Sequence, residues 1–289
     1  MMSPAEKLRA LLSEDTCHVM PCCWDGLSAK MIADAGFKFT FMSGFAVSAS
    51  RIGAPDTGLI SFGEMLDQGR NICAATPIPV IGDGDTGYGN ALNVRRTVEM
   101  YSRAGFAAVM IEDQVTPKRC GHTKGKLVVD RDEALNRIKA AVDTRDAGAD
   151  IMILARTDAR HGHGLDEAID RGKGFFDLGA DILFIEAPQT EDEMARITSK
   201  VPGIHMANLV EGGATPMLSR TELHQLGYRF AAYPLTLLSA AMKAIAQALG
   251  DLREGEHPGD ILLEFDELRR IVGFDDYYSA EKAYTDRRA

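Results

Sequence analysis

Aromatic side chains are scarce in this chain, at 7% of 289 residues. Long apolar runs are missing: no stretch reaches the roughly 18 residues that a membrane-spanning helix needs. The first dozen residues carry Glu6, Lys7 and Arg9 on an amphipathic pattern, without the continuous apolar centre of a signal peptide. Positive charge is in deficit. A net charge of −10 and a pI near 5.2 suit neither nucleic acid nor an anionic membrane, so neither is expected as a partner. An acidic substrate is still compatible, because local cations in a cleft override the global field. A cysteine framework is lacking too. Cys17, Cys22, Cys23, Cys73 and Cys120 make an odd count without zinc spacing, which reads as a reduced, cytoplasmic protein. Cys17 and Cys73 sit among apolar residues and read as packing.

What is present is a repeating alternation. Short apolar runs occur at 17–25, 38–44, 78–85, 107–113, 151–158, 180–187, 203–209 and 228–234. They are too short for buried helices and read as strands covered on both faces, as in a parallel sheet. Amphipathic stretches separate them; in 165–176, Leu165, Ala168, Ile169, Gly172, Phe175 and Phe176 share one helical face. Helix starts are signalled by Ser3 with Glu6, Ser61 with Glu64, Thr190 with Glu193 and Ser219 with Glu222. Eight such units favour a (β/α)₈ barrel of α/β class, residues 1–289 forming one domain with an extra N-terminal helix. A doubly wound open sheet is the alternative, but DGDTGYGN (83–90) places acids where a dinucleotide phosphate would need donors. A long helix is expected near 235–249. Beyond it, a C-terminal extension (251–289) with helices near 258–271 and 279–287 has no strand to follow.

In such barrels the active site lies at the C-terminal ends of the strands. Here those ends carry Asp25, Ser43-Gly44, Asp83 and Asp85, Glu112 and Asp113, Arg156 and Asp158, Glu186, Asn208, and Tyr233-Pro234. Asp83 and Asp85, two apart in a strand, should face the same side, beside Glu112 on the next strand. Oxygen donors without paired histidines point to Mg²⁺ or Mn²⁺ rather than zinc. Asp25 and Asp113 read equally as helix caps. Arg156, Lys118 and Arg119 supply cations for an anionic acid, although Arg156 could instead pair with Glu186 or Asp158. The segment 113–126 is long, polar and rich in Gly and Lys. Its Cys120, flanked by Lys118, Arg119 and His122, should have a lowered pKa, and the segment reads as a lid. His161 and His163 read as solvated loop residues.

These segments carry a resemblance. FMSGFAVSASRIGAPDTGLIS (41–61), IGDGDTGYGN (81–90), IEDQVTPKRCGH (111–122), ARTDA (155–159), IEAP (185–188), NLVEGGATP (208–216) and YPLT (233–236) resemble the isocitrate lyase/phosphoenolpyruvate mutase superfamily. The KRCGH loop is similar to that of its lyase branch. The resemblance implies Mg²⁺ (or Mn²⁺) held by Asp83, Asp85 and Glu112, partly through water, with Asp56 nearby. It implies that Ser43, Gly44, Phe45 and Arg156 receive the 2-oxo acid part, and that Glu186, Asn208, Thr215 and Pro234 line the rest of the substrate site. Cys120 would be the general acid, supported by Lys118, Arg119 and His122. The implied reaction is retro-Claisen cleavage of a 2-alkylmalate or 2-methylisocitrate. Oxaloacetate hydrolysis, mutase-like phosphonate chemistry and an inactive carboxylate-binding paralogue are the alternatives. The implied assembly is a homotetramer whose C-terminal helices are exchanged between subunits.

Overall fold

Strands β1 (His18–Cys23), β2 (Thr40–Met42), β3 (Val80–Asp83), β4 (Ala108–Glu112), β5 (Met152–Thr157), β6 (Ile182–Ile185), β7 (Ile204–Asn208) and β8 (Tyr228–Tyr233) each fall inside one of the eight apolar runs. In the computed structural model, which describes residues 2–119 and 125–285, each strand pairs in parallel with its sequence neighbour. β8 closes on β1, with His18 opposite Phe230 and Pro21 opposite Tyr233. The result is a closed eight-stranded (β/α) barrel, as expected, and not an open doubly wound sheet.

The chain divides into two compact units, residues 1–237 and 238–289. In the first unit, α1 (Pro4–Leu12) precedes β1. Between strands lie α2 (Gly26–Asp34), a short α3 (Gly44–Val47), α4 (Phe62–Ala75), α5 (Ala91–Ala104), α6 (Arg131–Asp146), α7 (Ala159–His163), α8 (Leu165–Asp177), α9 (Glu191–Lys200) and α10 (Arg220–Gln225). Ser3, Ser61 and Ser219 close full capping boxes with Glu6, Glu64 and Glu222. At Thr190 only half the box forms, because the Glu193 carboxylate turns to Arg160 and the Gln189 amide. Asp25 caps α2, whereas Asp113 caps nothing and is buried.

Two cores result from the strand alternation. One set of side chains meets the helices, with Tyr101, Phe106, Phe175 and Ile72 among the most buried. The other set fills the barrel: Met20, Phe39, Ile81, Met152, Leu154, Ile182 and Phe230. Ala5, Leu8 and Leu12 of α1 join this inner cluster, so the N-terminal helix plugs the bottom of the barrel. Cys17 is fully buried among Ala207, Leu209 and Leu223, and Cys73 is half-buried against the outer core, as their apolar context suggested.

In the second unit, α11 (Thr236–Arg253) starts just after β8 and is longer than the pattern indicated. α12 (Phe265–Val272) and α13 (Phe274–Thr285) follow, separated by Gly273 at φ 105°, a left-handed turn that lets the second helix start earlier than expected. His161 and His163 are exposed, as expected, but lie on the short helix α7 and not in a loop.

Candidate active site

The period of two that places one side chain per strand in the barrel also builds the site. At the C-terminal mouth, Ser43, Asp83, Glu112, Arg156, Glu186, Asn208 and Pro234 form a predominantly polar rim. Two residues earlier on the same strands stand Phe41, Ile81, Met110, Leu154, Phe184, Met206 and Ala232, the top of the apolar fill. Between rim and floor lies a cavity. Its polar lining is Ser43, Asp56, Asp83, Glu112, Lys118, Arg119, Arg156 and Asn208. Its apolar lining includes Cys22, Phe41, Phe45, Met110, Phe184, Met206, Val210, Pro234 and Leu235. Four expected site residues, Gly44, Asp85, Glu186 and Thr215, do not line the cavity. Glu186 stands one layer behind it, accepting from Asn208 Nδ2 at 3.3 Å and lying 3.6 Å from Arg156. Thr215 is buried, and its hydroxyl has no hydrogen-bond partner among the described residues. Cys120 and His122 lie outside the described residues.

One expectation needs correction. Asp83 and Asp85 do not face the same way as strand neighbours, because β3 ends at Asp83 and Asp85 sits at φ 47°, in the left-handed region. That turn aims the Asp85 amide back at Asp83 Oδ1, 3.0 Å away. The other Asp83 oxygen accepts from the Gly44 amide at 3.1 Å. Gly44 is needed here as glycine: a Cβ would stand 2.5 Å from Asp83 Oδ2. Gly44→Ala should displace that carboxylate and cost about 1–3 kcal/mol by overpacking. Denaturant unfolding checks this, and unchanged stability would dismiss the close contact.

Charge dominates the chemistry. Lys118 Nζ lies 2.5 Å from Asp56 Oδ1 and 2.8 Å from Asp85 Oδ1, all three side chains being about 6% exposed. Burial lowers the Lys118 pKa, but Asp85 and Asp56 outweigh it and hold the ammonium well above its usual range. Burial and the neighbouring Asp85 charge push Asp83 up to about 6. Burial also raises Glu112 and Asp56. Arg156 donates from Nε and Nη2 to Asp158 at 2.9 and 3.2 Å, lies 3.4 Å from Glu112, and stacks 5.1 Å over the Phe184 ring. The ion pair considered for Arg156 therefore forms, and the guanidinium lines the cavity as well.

Whether these residues suit a divalent cation follows from their donors. Glu112 Oε1 is buried without a hydrogen-bond partner among the described residues. Asp56 Oδ1 and Asp85 Oδ1 face the ammonium at ion-pair distance without an aligned hydrogen bond. Among the described residues, Asp56, Asp83, Asp85, Glu112, Asp158 and Glu186 are buried together, and the buried cations among them are Lys118, Lys126 and Arg156. The excess negative charge suits a dication. Among the described residues no three His, Cys, Asp or Glu side chains are set to ligate one ion directly.

Residues 8–253 match the phosphoenolpyruvate phosphomutase family. The chain belongs to that family. Within it, 2,3-dimethylmalate lyase of Eubacterium barkeri is 43% identical, covering 99% of this chain and all of that one. Carboxyvinyl-carboxyphosphonate phosphorylmutase of Arabidopsis thaliana, a chloroplastic protein, is 39% identical over 98% of this chain and 85% of that one. The structure of oxaloacetate acetylhydrolase bound to 3,3-difluorooxalacetate superposes with a TM-score of 0.94, at 37% identity, covering 98% and 97% of the two chains. Family membership thus spans lyase, mutase and hydrolase names, and the choice among them turns on the site.

What sequence reasoning missed is the floor. Cys22, Met110, Phe184, Met206 and Ala232 read only as parts of apolar strands, yet they line the cavity. Counting two residues back from each polar strand end would have found the floor positions on β4, β6, β7 and β8. Gln114 was missed as well: its side chain brackets Arg119, donating to the carbonyl at 2.8 Å and accepting from the amide at 2.9 Å.

Proposed function

We propose that this chain is a Mg²⁺-dependent carbon–carbon lyase that cleaves a 2-hydroxy di- or tricarboxylate of the 2-alkylmalate or 2-methylisocitrate type. The observation that carries this reading is the split cavity, a guanidinium and a carboxylate cluster at the rim above a floor of Phe41, Met110, Phe184 and Met206. A carboxylate fits the guanidinium, and an alkyl branch fits the floor. The 43% identity to 2,3-dimethylmalate lyase supports the same choice.

In the cleavage, the 2-hydroxyl gives up its proton, the C2–C3 bond breaks, and its electron pair stays on C3. C2 becomes the carbonyl of a 2-oxo acid such as pyruvate, and C3 takes a proton to give the second carboxylate. Asp83, Asp85 and Glu112 would hold Mg²⁺, or Mn²⁺, with Asp56 beside them. Bound there, the ion would supply Lewis-acid polarisation of the 2-oxygen. Arg156 stabilises negative charge on the 2-oxo acid part, with Ser43, Gly44 and Phe45 next to it. Asn208, oriented by Glu186, holds the remaining carboxylate part, with Pro234 beside it in the lining. Cys120 delivers the proton to C3, with Lys118, Arg119 and His122 as its charged neighbours in sequence.

Assaying cleavage of 2-alkylmalates, 2-methylisocitrate and oxaloacetate, with and without exhaustive chelation, tests this. We expect a 2-oxo acid from an alkylated substrate, loss of turnover on chelation, and recovery with Mg²⁺. Full turnover by metal-free enzyme would remove the metal from the mechanism. The TM-score of 0.94 to oxaloacetate acetylhydrolase favours oxaloacetate hydrolysis as the second reading. Oxalate as the main product would establish it over the first.

The functional unit is a homotetramer in this reading. Met242, Ile245, Leu249 and Leu252 recur along one face of α11 and are each 59–62% exposed, a surface that further copies would cover. A cytoplasmic location agrees with the four free cysteines among the described residues and with the absence of a described helix long and apolar enough to cross a membrane.

A further inference from the structure

Asp158 takes no part in the chemistry above and does not line the cavity, yet its side chain is fully buried beside it. One carboxylate there holds two cations. Arg156 binds both oxygens, and Lys126 Nζ donates to Oδ1 at 2.8 Å with its own side chain 2% exposed. Asp158 is itself fixed from behind. Its amide donates to Asp113 Oδ1 at 2.9 Å, and the preceding Thr157 hydroxyl donates to Asp113 Oδ2 at 2.6 Å. Arg171 Nη1 holds that same Asp113 oxygen at 2.9 Å.

Arg156 therefore faces three carboxylates, Asp158, Glu112 and Glu186. Alone, one guanidinium cannot balance three acids, and it would show little net positive charge to an incoming anion. Lys126 changes that balance by sharing Asp158. We propose that Lys126 is a positioning residue that acts through Asp158 on Arg156: it offsets the Asp158 charge so that the guanidinium keeps its attraction for an anionic ligand. This rests on the reading of Arg156 as a carboxylate-binding group.

Calorimetric titration with oxalate, in excess Mg²⁺, tests it without turnover. Lys126→Met should weaken oxalate binding about tenfold, the order expected for losing one unit charge several ångströms from the guanidinium at an effective dielectric near 20. Lys126→Arg should stay within threefold of the wild type. The charge-balanced double variant, Lys126→Met with Asp158→Asn, should also return to within threefold. A purely structural role for Lys126 predicts no such rescue. Wild-type affinity in Lys126→Met, or a double variant as weak as the single one, would overturn the proposal. Should Lys126→Met fail to fold, a folded double variant binding tenfold more weakly than wild type overturns it equally. Wild-type enzyme that binds oxalate but cleaves none of the acids would instead refute the substrate reading and leave this comparison standing. Wild-type enzyme that does not bind oxalate refutes both.

Discussion

Cys120→Ser should lower kcat by about 10²–10⁴, the usual cost of losing a general acid, with little change in KM. The step that breaks C2–C3 leaves a carbanion, which needs a proton and offers no electrophilic carbon to a nucleophile. A thiol can give that proton near neutral pH, whereas a serine hydroxyl is far too weak an acid. The substitution keeps the size, so binding through Arg156 should persist. Lys118 sits in the carboxylate cluster, between Asp56 and Asp85, so much of its charge is offset there. Arg119 and His122 are then the neighbours in sequence left to favour the thiolate. Steady-state kinetics and single-turnover proton transfer check the effect. Near-normal kcat, or a substrate thioester trapped on Cys120 in mass spectra, would overturn the acid role.

Lys118→Met should destabilise the protein by about 3–5 kcal/mol, because removing one partner of a buried ion pair strands the other. Here it strands two, Asp56 and Asp85, in a cluster that already contains Asp83 and Glu112. The pH dependence has a definite sign. Asp56 already titrates above its ordinary range through burial, and Lys118 is the main influence lowering it. Without Lys118 the folded protein binds its proton still more tightly than the unfolded chain does, so stability falls as pH rises. The deficit of the variant should therefore shrink as pH drops towards the carboxylate range, where Asp56 becomes neutral. Mg²⁺ should recover part of it, since a ligand that binds only the folded state stabilises that state. Unfolding curves with and without Mg²⁺ measure both. A deficit independent of pH and of Mg²⁺ would mean that Lys118 serves packing and not charge.

Much of the architecture was legible because both barrel signals are local. A strand covered on both faces has to be short and apolar, and the helix after it needs a donor-satisfying cap. Ser3, Ser61 and Ser219 were therefore readable one residue at a time. The polar strand ends were legible for a related reason: an acid or an arginine at the end of an apolar run cannot be core. Asp83, Glu112, Arg156 and Asn208 were found this way and meet around one cavity. Asp113 carries the same local signal and leads elsewhere, into a buried pair with Arg171, 58 residues away in sequence. Nothing near Asp113 reveals that partner.

By itself, then, the sequence determined the fold class, the order of the eight strands and which strand ends are polar, because each depends on periodicity and residue type over a few positions. Only the tertiary structure decided what those groups do to one another. It turned Asp85 out of the strand, placed Lys118 between Asp56 and Asp85, and gave Asp158 to Arg156 and Lys126 together. These outcomes follow from distances of a few ångströms between residues far apart in the chain. At such distances, in a buried site of low dielectric, the energy of a charge depends on its neighbours in space and not on its neighbours in sequence.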